Sequence, residues 1–448
     1  MATGSSKGLS SALAGGAETI VACATPRGRG ALAMIRVSGP AAATVSRSVC
    51  PGVSFEDGWL ATLTTLRHPK REVLERAIVI PYPGPRSYTG EDMLEITVHG
   101  SSYLIEEVIE AFVIAGARRA EPGEFTRRAV ANGKLDLIQA EAIRDLIEAD
   151  TACQLRNAQR QLSGVLSVDF AEMRESLIEL VATIEASLDY EAQGVEVAST
   201  EIESLLASCR RRVGKLLATA QAGERIRDGA RVVILGPPNA GKSTLFNQLC
   251  GSERAIVSPH PGTTRDVIEA ELDLAGVRTI IQDTAGLRAE GDAVEAEGHR
   301  RALLAADTAD VVIQLWAMGG GEPPPTPSAA APVIKIRSKD DLSGDEGGGD
   351  GWLRVSCHTG EGMDELRSRV TTMVEGEIPD LGGAVAIAAR HRKALQAAAD
   401  ELEGCDPGCP ELAAERARWT VRAVEELIGE VESEDVLDVI YSGFCIGK

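Results

Sequence analysis

The residues Val232-Val233-Ile234-Leu235, Gly236-Pro237-Pro238-Asn239-Ala240-Gly241-Lys242-Ser243-Thr244 and Leu245-Phe246-Asn247-Gln248-Leu249 follow one another without a break. The first run is apolar and largely β-branched, the second is a glycine loop and the third has helical texture, so the stretch predicts strand, loop, helix. That order makes a phosphate cradle. Glycines at Gly236 and Gly241 let backbone N–H groups curl around phosphate oxygens. Lys242 reaches the terminal phosphates, and the Ser243 hydroxyl can hold magnesium. A chance glycine turn would not need both the strand before it and the helix after it.

Around this loop the texture of the chain changes several times. Residues 1–17 are small and polar and are expected to be a disordered N-terminal segment. From residue 18 to 124 the apolar runs are short and strand-like, at Thr19-Ile20-Val21, Leu32 to Ile35, Ala77 to Ile80 and Met93 to Val98, with one helix-like stretch from Leu104 to Ala115. This predicts an α+β domain. Residues 125–225 show helical periodicity, as in Ile138, Ala142, Ile143, Leu146 and later Leu177, Leu180, Val181, Ile184, interrupted at Ser163-Gly164. Residues 226–375 alternate strands and helices, and residues 376–448 return to helix with a break at Asp406-Pro407-Gly408. The nucleotide module is therefore expected to be inserted into an all-α domain whose two parts are distant in sequence. Gly319 to Pro332 and Gly344 to Gly351 are low-complexity stretches expected to be surface loops.

Composition narrows the partners. With 46 Lys and Arg against 67 Asp and Glu, the net charge of -21 excludes an electrostatic grip on RNA by the whole surface. Arg118-Arg119, Arg210-Arg211-Arg212 and Arg390-His391-Arg392-Lys393 are the local basic clusters, which on composition read as solvated helix faces. An aromatic content of 3% leaves few base-stacking platforms. The nine cysteines are scattered, without a disulfide framework or a paired zinc motif, which fits a reducing compartment. No apolar run reaches membrane-spanning length, so a soluble protein is expected, in a bacterial-type cytoplasm or a mitochondrial or plastid matrix.

A phosphate loop alone admits many nucleotides, and the motifs after it discriminate. Gly262-Thr263-Thr264-Arg265-Asp266 lies where a switch threonine reaches magnesium and the terminal phosphate. Asp283-Thr284-Ala285-Gly286 follows the strand Thr279-Ile280-Ile281. It puts a carboxylate near the metal and a glycine N–H near the γ-phosphate. Ser338-Lys339-Asp340-Asp341 ends the strand from Val333, and Asp341 can accept hydrogen bonds from N1 and the exocyclic amino group of guanine. Ser338 stands where this motif usually has asparagine. Ser356-Cys357-His358 at the next strand end suits the loop under the base. Leu287 cannot orient the attacking water as a glutamine does, so either hydrolysis is very slow or another group enters the site, from elsewhere in the chain, a cation or a partner. Asn239 offers an oxygen near the phosphates, and its spacing alone supports both a loop cap and a ligand for a monovalent cation.

With these motifs in place, the chain resembles the MnmE (TrmE) family of tRNA modification GTPases over residues 18–448. The resemblance also rests on Thr25-Pro26-Arg27-Gly28-Arg29-Gly30, Tyr88-Thr89-Gly90-Glu91-Asp92, Pro122-Gly123-Glu124-Phe125-Thr126, Asn132-Gly133-Lys134-Leu135-Asp136 and the final Phe444-Cys445-Ile446-Gly447-Lys448. It implies a multidomain fold. An N-terminal α+β folate-binding-like domain also dimerises, and an all-α helical domain carries an inserted α/β P-loop GTPase domain of Ras-like, TrmE-Era type. It further implies a potassium-dependent GTPase with K+ on Asn239, Ser258, His260 and Thr263, Mg2+ on Ser243 and Thr264, and Glu295 as the water-orienting catalytic residue. The nucleotide would be held by Asn239, Ala240, Gly241, Lys242, Ser243, Thr244, Ser258, Thr263, Thr264, Asp283, Thr284, Ala285, Gly286, Ser338, Lys339, Asp341 and Ser356.

The family's second chemistry implies 5-formyl- or 5,10-methylene-tetrahydrofolate bound by Arg36, Glu95, Lys134 and Lys448, with Cys445 a candidate for tail chemistry. It also implies a homodimer, a MnmG (GidA)-type partner carrying FAD in a heterotetramer or larger assembly, and the wobble uridine of tRNA as the target. Two other classes compete. A GTP-switched RNA-binding or ribosome-assembly factor would have no use for a folate site. A prenylated membrane switch needs an acceptor tail and basic neighbours, and this tail ends in Lys448 after the acidic stretch Glu430 to Asp438, so no membrane anchor is expected.

Overall fold

The computed structural model describes residues 18–26, 28–70, 73–191, 199–252, 254–255, 268–283, 304–317, 331–339, 351–376, 388–429, 441, 444 and 447. The expected N-terminal segment, most of both low-complexity stretches and the switch segments lie outside them. The chain forms two compact units, one of residues 1–144 with 425–448 and one of residues 145–424.

The first unit is built on alternating strands. β1 (Ile20–Cys23), β2 (Leu32–Ser38), β3 (Thr62–Leu66), β4 (Glu75–Tyr82), β5 (Met93–His99) and β6 (Arg118–Arg119) form one sheet in the order β3-β4-β5-β2-β1-β6. All pairs are antiparallel except β1 with β6. Because strand side chains alternate, one face carries Ile35, Val37, Val79, Leu94 and Ile96 into a core shared with Val45, Val108 and Phe112. Those last three come from α1 (Ala42–Val49) and α2 (Ser102–Ile114). The opposite face carries Arg36 directly across from Glu95. It also exposes Leu63 and Ile78, a register pair on β3 and β4. The sequence reading found the longer strands and α2. It missed α1, whose Ala-Ala-Thr-Val start is too small and β-branched to read as helix, and β3, in which three threonines blur the apolar pattern. α3 (Glu124–Ala131) and α4 (Leu137–Glu148) follow.

In the second unit α5 (Ala152–Leu162), α6 (Val165–Glu191), α7 (Ser199–Leu217) and α8 (Ala220–Asp228) precede the nucleotide module. Buried residues on α6 are Leu166, Phe170, Met173, Leu177, Leu180 and Ile184, and on α7 Ile202, Leu206, Cys209, Val213 and Leu216. Steps of four and three put each set on one stripe, the pattern of a bundle seam. The break expected at Ser163-Gly164 falls between α5 and α6, with Gly164 at φ +82°.

The module is a seven-stranded sheet of β7 (Ala230–Leu235), β8 (Arg254–Ala255), β9 (Ile268–Leu274), β10 (Val277–Asp283), β11 (Val311–Ala317), β12 (Val333–Ser338) and β13 (Leu353–Val355). Its order is β13-β12-β11-β7-β10-β9-β8, parallel from β13 to β10 and antiparallel beyond. α9 (Lys242–Ser252) and α10 (Met363–Gly376) bury Leu245, Leu249, Leu366 and Val370 against Ile234, Ile313 and Ile336. The chain then returns to the bundle through α11 (Ala389–Glu403) and α12 (Pro410–Ile428). His391, Leu395, Ala398 and Leu402 continue the seam, and the His391 ring meets Phe170 edge to face at 5.8 Å. Among the described residues no helix is long and apolar enough to cross a membrane.

The C-terminal tail touches the first sheet at a position that only glycine can occupy. Gly447 has φ +98°, and a Cβ there would stand 2.3 Å from the Cys23 carbonyl oxygen at the end of β1. Gly447→Ala is therefore expected to detach the tail at a cost of about 1–3 kcal/mol of local stability. Hydrogen exchange should show lost protection at Cys23 to Thr25, and unchanged protection there would refute the contact.

Candidate functional site

The phosphate loop sits at the C-terminal edge of the parallel strands, where ligands of open α/β sheets bind. Gly236 must be glycine because a Cβ would lie 2.8 Å from the Leu315 carbonyl oxygen of β11. Asn239 and Gly241 take φ +61° and +94°, so the backbone reverses twice within three residues. Asparagine tolerates that conformation better than most side chains. Lys242, nearly buried, donates through Nζ to the carbonyls of Gly236 at 2.8 Å and Pro237 at 3.0 Å, closing the loop on itself. Ser243 and Thr244 open α9 and are exposed, as is Asn239.

Three strand ends converge on this loop. Asp283 ends β10 across from Ile234 and is fully buried. Ser338 ends β12, and its hydroxyl donates to the Ala240 carbonyl at 2.6 Å, tying the loop after β12 to the phosphate loop. Lys339 follows at φ +60°. Ser356 lies just past β13, fully buried, and its hydroxyl accepts from the Thr359 N–H at 3.2 Å. Ala240, Gly241, Lys242, Ser243, Asp283, Ser338 and Ser356 are thus gathered at one edge. Ser258, His260, Thr263, Thr264, Thr284, Ala285, Gly286, Leu287, Glu295 and Asp341 lie outside the described residues.

For a magnesium ion the fit is that of a hydrated cation. Among the described residues no group of three His, Cys, Asp or Glu side chains assembles into a cage. An exposed hydroxyl on Ser243 and a buried carboxylate on Asp283 suit an ion that keeps waters and takes its remaining ligands from phosphates.

The second site lies on the open face of the first sheet. A cavity of about 480 Å³ is lined by Trp59, Tyr82, Arg86, Tyr88, Glu95 and Lys134, among others. Glu95 is the organising group. Its Oε1 accepts from Arg36 Nε at 2.9 Å and pairs with Nη2 at 2.8 Å, while Oε2 accepts from the Tyr82 hydroxyl at 3.1 Å. Burial raises the Tyr82 phenol above its usual range, and the adjoining Glu95 carboxylate raises it further, so Tyr82 stays a donor. Arg36 also lies over the Tyr88 ring, 5.3 Å from its centre. The Tyr88 hydroxyl meets Thr126 Oγ1 at 2.8 Å.

The Tyr88 to Asp92 motif is held from behind. Thr89 meets Ser38 at 2.7 Å, and Glu91 accepts from Arg128 at 3.1 Å and from Ser38 at 2.7 Å. Lys134 reaches over this loop to donate to the Pro85 carbonyl at 3.1 Å. Arg36, Glu95 and Lys134 are therefore in one unit, the first two in contact and Lys134 at the rim. Lys448 and Cys445 lie outside the described residues. Sequence reasoning missed Trp59 and Tyr82. Tyr82 carried a signal, being on the same strand face as Ile78 and Ile80 and two strands from Arg36. Trp59 carried none. Its φ of +69° is an outlier for a bulky residue, costing about 1–3 kcal/mol.

Four arginines of the first two basic clusters have partners within the chain. Arg118 pairs with Glu124 at 2.6 Å and Glu18 at 2.6 Å, and Arg119 with Glu106 at 2.8 Å. Arg210 caps the end of α11 by donating to the carbonyls of Leu402, Glu403 and Cys405. Arg212 pairs with Glu172 at 3.0 Å.

Comparison with known proteins places both described regions in one family. Residues 137–445 match the model described as the MnmE helical domain, and residues 19–134 match the one described as the GTP-binding protein TrmE N-terminus. The chain is 43% identical over 442 residues to the tRNA modification GTPase MnmE of Methylobacterium radiotolerans, covering 96% of this chain and 99% of that one. It is 41% identical over 456 residues to the protein of the same name from Halorhodospira halophila, covering 96% of each. Among solved structures, a variant of Aquifex aeolicus Era bound to GDP.AlF4- is similar at 22% identity and a TM-score of 0.25, covering 38% of this chain and 66% of that one. The two family models span the phosphate loop, the Glu95 cavity and the helical bundle alike, so the chain belongs to the MnmE (TrmE) family of tRNA modification GTPases.

Proposed function

We propose that this chain is a potassium-activated GTP hydrolase that works as a homodimer with an FAD-bearing MnmG-type partner. Together they would use a tetrahydrofolate one-carbon unit to build the aminomethyl or carboxymethylaminomethyl group on C5 of the wobble uridine of tRNA. The observation that carries the folate half is Glu95, whose carboxylate is fixed by Arg36 and Tyr82 at a cavity large enough for a bicyclic ring. A held carboxylate suits the donor edge of a pterin, and Lys134 at the rim with Lys448 suits the glutamate carboxylates. The exposed pair Leu63 and Ile78 on the same open face supports the homodimer, since an apolar sheet face is costly to leave in water.

In the nucleotide site the loop N–H groups and Lys242 cradle the phosphates and Asp341 reads guanine. Mg2+ on Ser243 and Thr264, and K+ on Asn239, Ser258, Thr263 and the His260 backbone carbonyl, would supply the positive charge that stabilises the transferred phosphoryl group. Glu295 orients the attacking water in place of the glutamine that Leu287 replaces. Ser338 holds the Ala240 carbonyl, so it fixes the loop rather than reading the base.

Each part is testable. GTP hydrolysis should be faster in potassium than in sodium, and Glu295→Ala should slow it about 100-fold while leaving nucleotide affinity unchanged; equal rates in the two salts would sink the cation reading. Ser338→Ala leaves a buried carbonyl without its donor, so affinity should fall about tenfold for GTP and for inosine triphosphate alike. A loss confined to GTP would mean that Ser338 reads the base. Glu95→Gln should abolish most binding of 5-formyl-tetrahydrofolate, on the order of tenfold or more, by calorimetry. Mass spectrometry of tRNA nucleosides from cells lacking the protein decides the overall assignment: intact wobble uridine modification would leave the assembly-factor reading in possession.

A further inference from the structure

Trp59 precedes β3 on a short loop, and three contacts force its backbone into the left-handed region. Its N–H donates to the Pro81 carbonyl at 2.8 Å. Gly58 before it packs so closely on Pro83 that a Cβ would stand 2.5 Å from that ring. The indole meets Tyr82 edge to face, with centres 4.9 Å apart and planes at 84°. Despite this constraint the side chain is 53% exposed, so it contributes little to the core. A strained backbone that presents a half-exposed aromatic ring to a cavity is a feature of ligand clamps. The ring it presents is one wall of the Glu95 cavity, and Tyr88 is another.

We propose that Trp59 is a ligand-contacting specificity residue, the stacking wall for the planar ring of a bicyclic heterocycle whose ring N–H and amino groups face Glu95. The pterin of a reduced folate is that heterocycle if the proposed function holds, and the inference rests on it. Tyr82 links the two contacts, since it packs on the Trp59 ring and donates to Glu95 at 3.1 Å. A ring held by Glu95 at its edge and by an indole at its face is fixed in both position and tilt, which a one-carbon donor requires of its reactive nitrogen. An indole face also favours the planar pyrimidinone half of such a ring system over an aliphatic ligand of the same volume.

The test titrates full-length protein with 5-formyl-tetrahydrofolate by calorimetry for wild type, Trp59→Phe, Trp59→Ala and Trp59→Gly. Trp59→Ala should weaken binding about tenfold, and Trp59→Phe should stay within about threefold of wild type. Trp59→Gly is the decisive variant, because glycine relieves the backbone at φ +69° while deleting the ring. Binding should fall as far as in the alanine variant although the protein melts no lower than wild type. If the glycine variant bound like wild type, or if all three variants weakened in proportion to their melting temperatures, Trp59 would be structural and the inference overturned. Wild-type protein that fails to bind the folate removes the functional reading itself, an outcome distinct from tight binding that ignores residue 59.

Discussion

A sheet domain can sit inside a helical bundle only if the chain leaves the bundle and comes back to it at the same seam. That closure is the constraint on which the second unit depends. α6 and α7 come before the nucleotide module and α11 after it, yet their buried stripes share one core. The His391 ring of α11 packs on Phe170 of α6, and Arg210 of α7 caps the carbonyl end of α11 across 192 residues of sequence. Capping by a guanidinium satisfies carbonyls that no helical N–H can reach, so the returning helix is anchored by hydrogen bonds as well as by apolar contact.

The closure also fixes where the module touches the bundle. Asp310, just before β11, accepts from Arg225 Nε at 2.8 Å and from the Arg231 N–H at 2.8 Å, pinning the end of α8 to the start of β7. Gln154 on α5 donates to the Arg227 carbonyl at 3.0 Å, and the Cys153 N–H donates to the Gly276 carbonyl at 3.2 Å. Gly276 is the turn between β9 and β10. β10 therefore has one end on α5 and the other, Asp283, beside the phosphate loop. β10 is paired on both sides, with β7 and β9, which holds it rigidly between these two ends.

Which parts of this were legible in the sequence follows from the range of the interactions. The phosphate loop was legible because its chemistry is local: glycines, lysine and serine at fixed spacing need no partner from elsewhere. The helix breaks at Ser163-Gly164 and Asp406-Pro407-Gly408 were legible for the same reason, and they fall between α5 and α6 and between α11 and α12. The role of Ser338 was not, since its partner Ala240 lies 98 residues away. Read alone, serine in an asparagine position looks like a loss, whereas its hydroxyl keeps the tether to the loop. Trp59 escaped because nothing in its neighbours' periodicity encodes a positive φ; contacts with Pro81 and the packing of Gly58 on Pro83 impose it. The arginine clusters read as solvated faces, and Arg119, Arg211 and Arg212 are exposed; composition could not show that Arg118 would pair with Glu124 or that Arg210 would cap a helix end.

That last point bears on how an acidic chain can serve an RNA reaction. With a net charge of -21, long-range attraction to phosphate is unfavourable before any local patch is considered. Arg118, Arg119 and Arg212 spend their guanidiniums on Glu18, Glu124, Glu106 and Glu172, and Arg210 spends its own on three carbonyls. Freeing Arg118 or Arg210 for a phosphate would leave the buried Glu124 or a helix end unpaired, whereas the exposed pairs of Arg119 and Arg212 cost little to open. RNA binding through Arg118 and Arg210 is thus disfavoured twice, by the field of the whole chain and by their commitments. An acidic chain of this kind can serve an RNA reaction only through local contacts strong enough to overcome its own field, and two of its basic residues are already held by their neighbours.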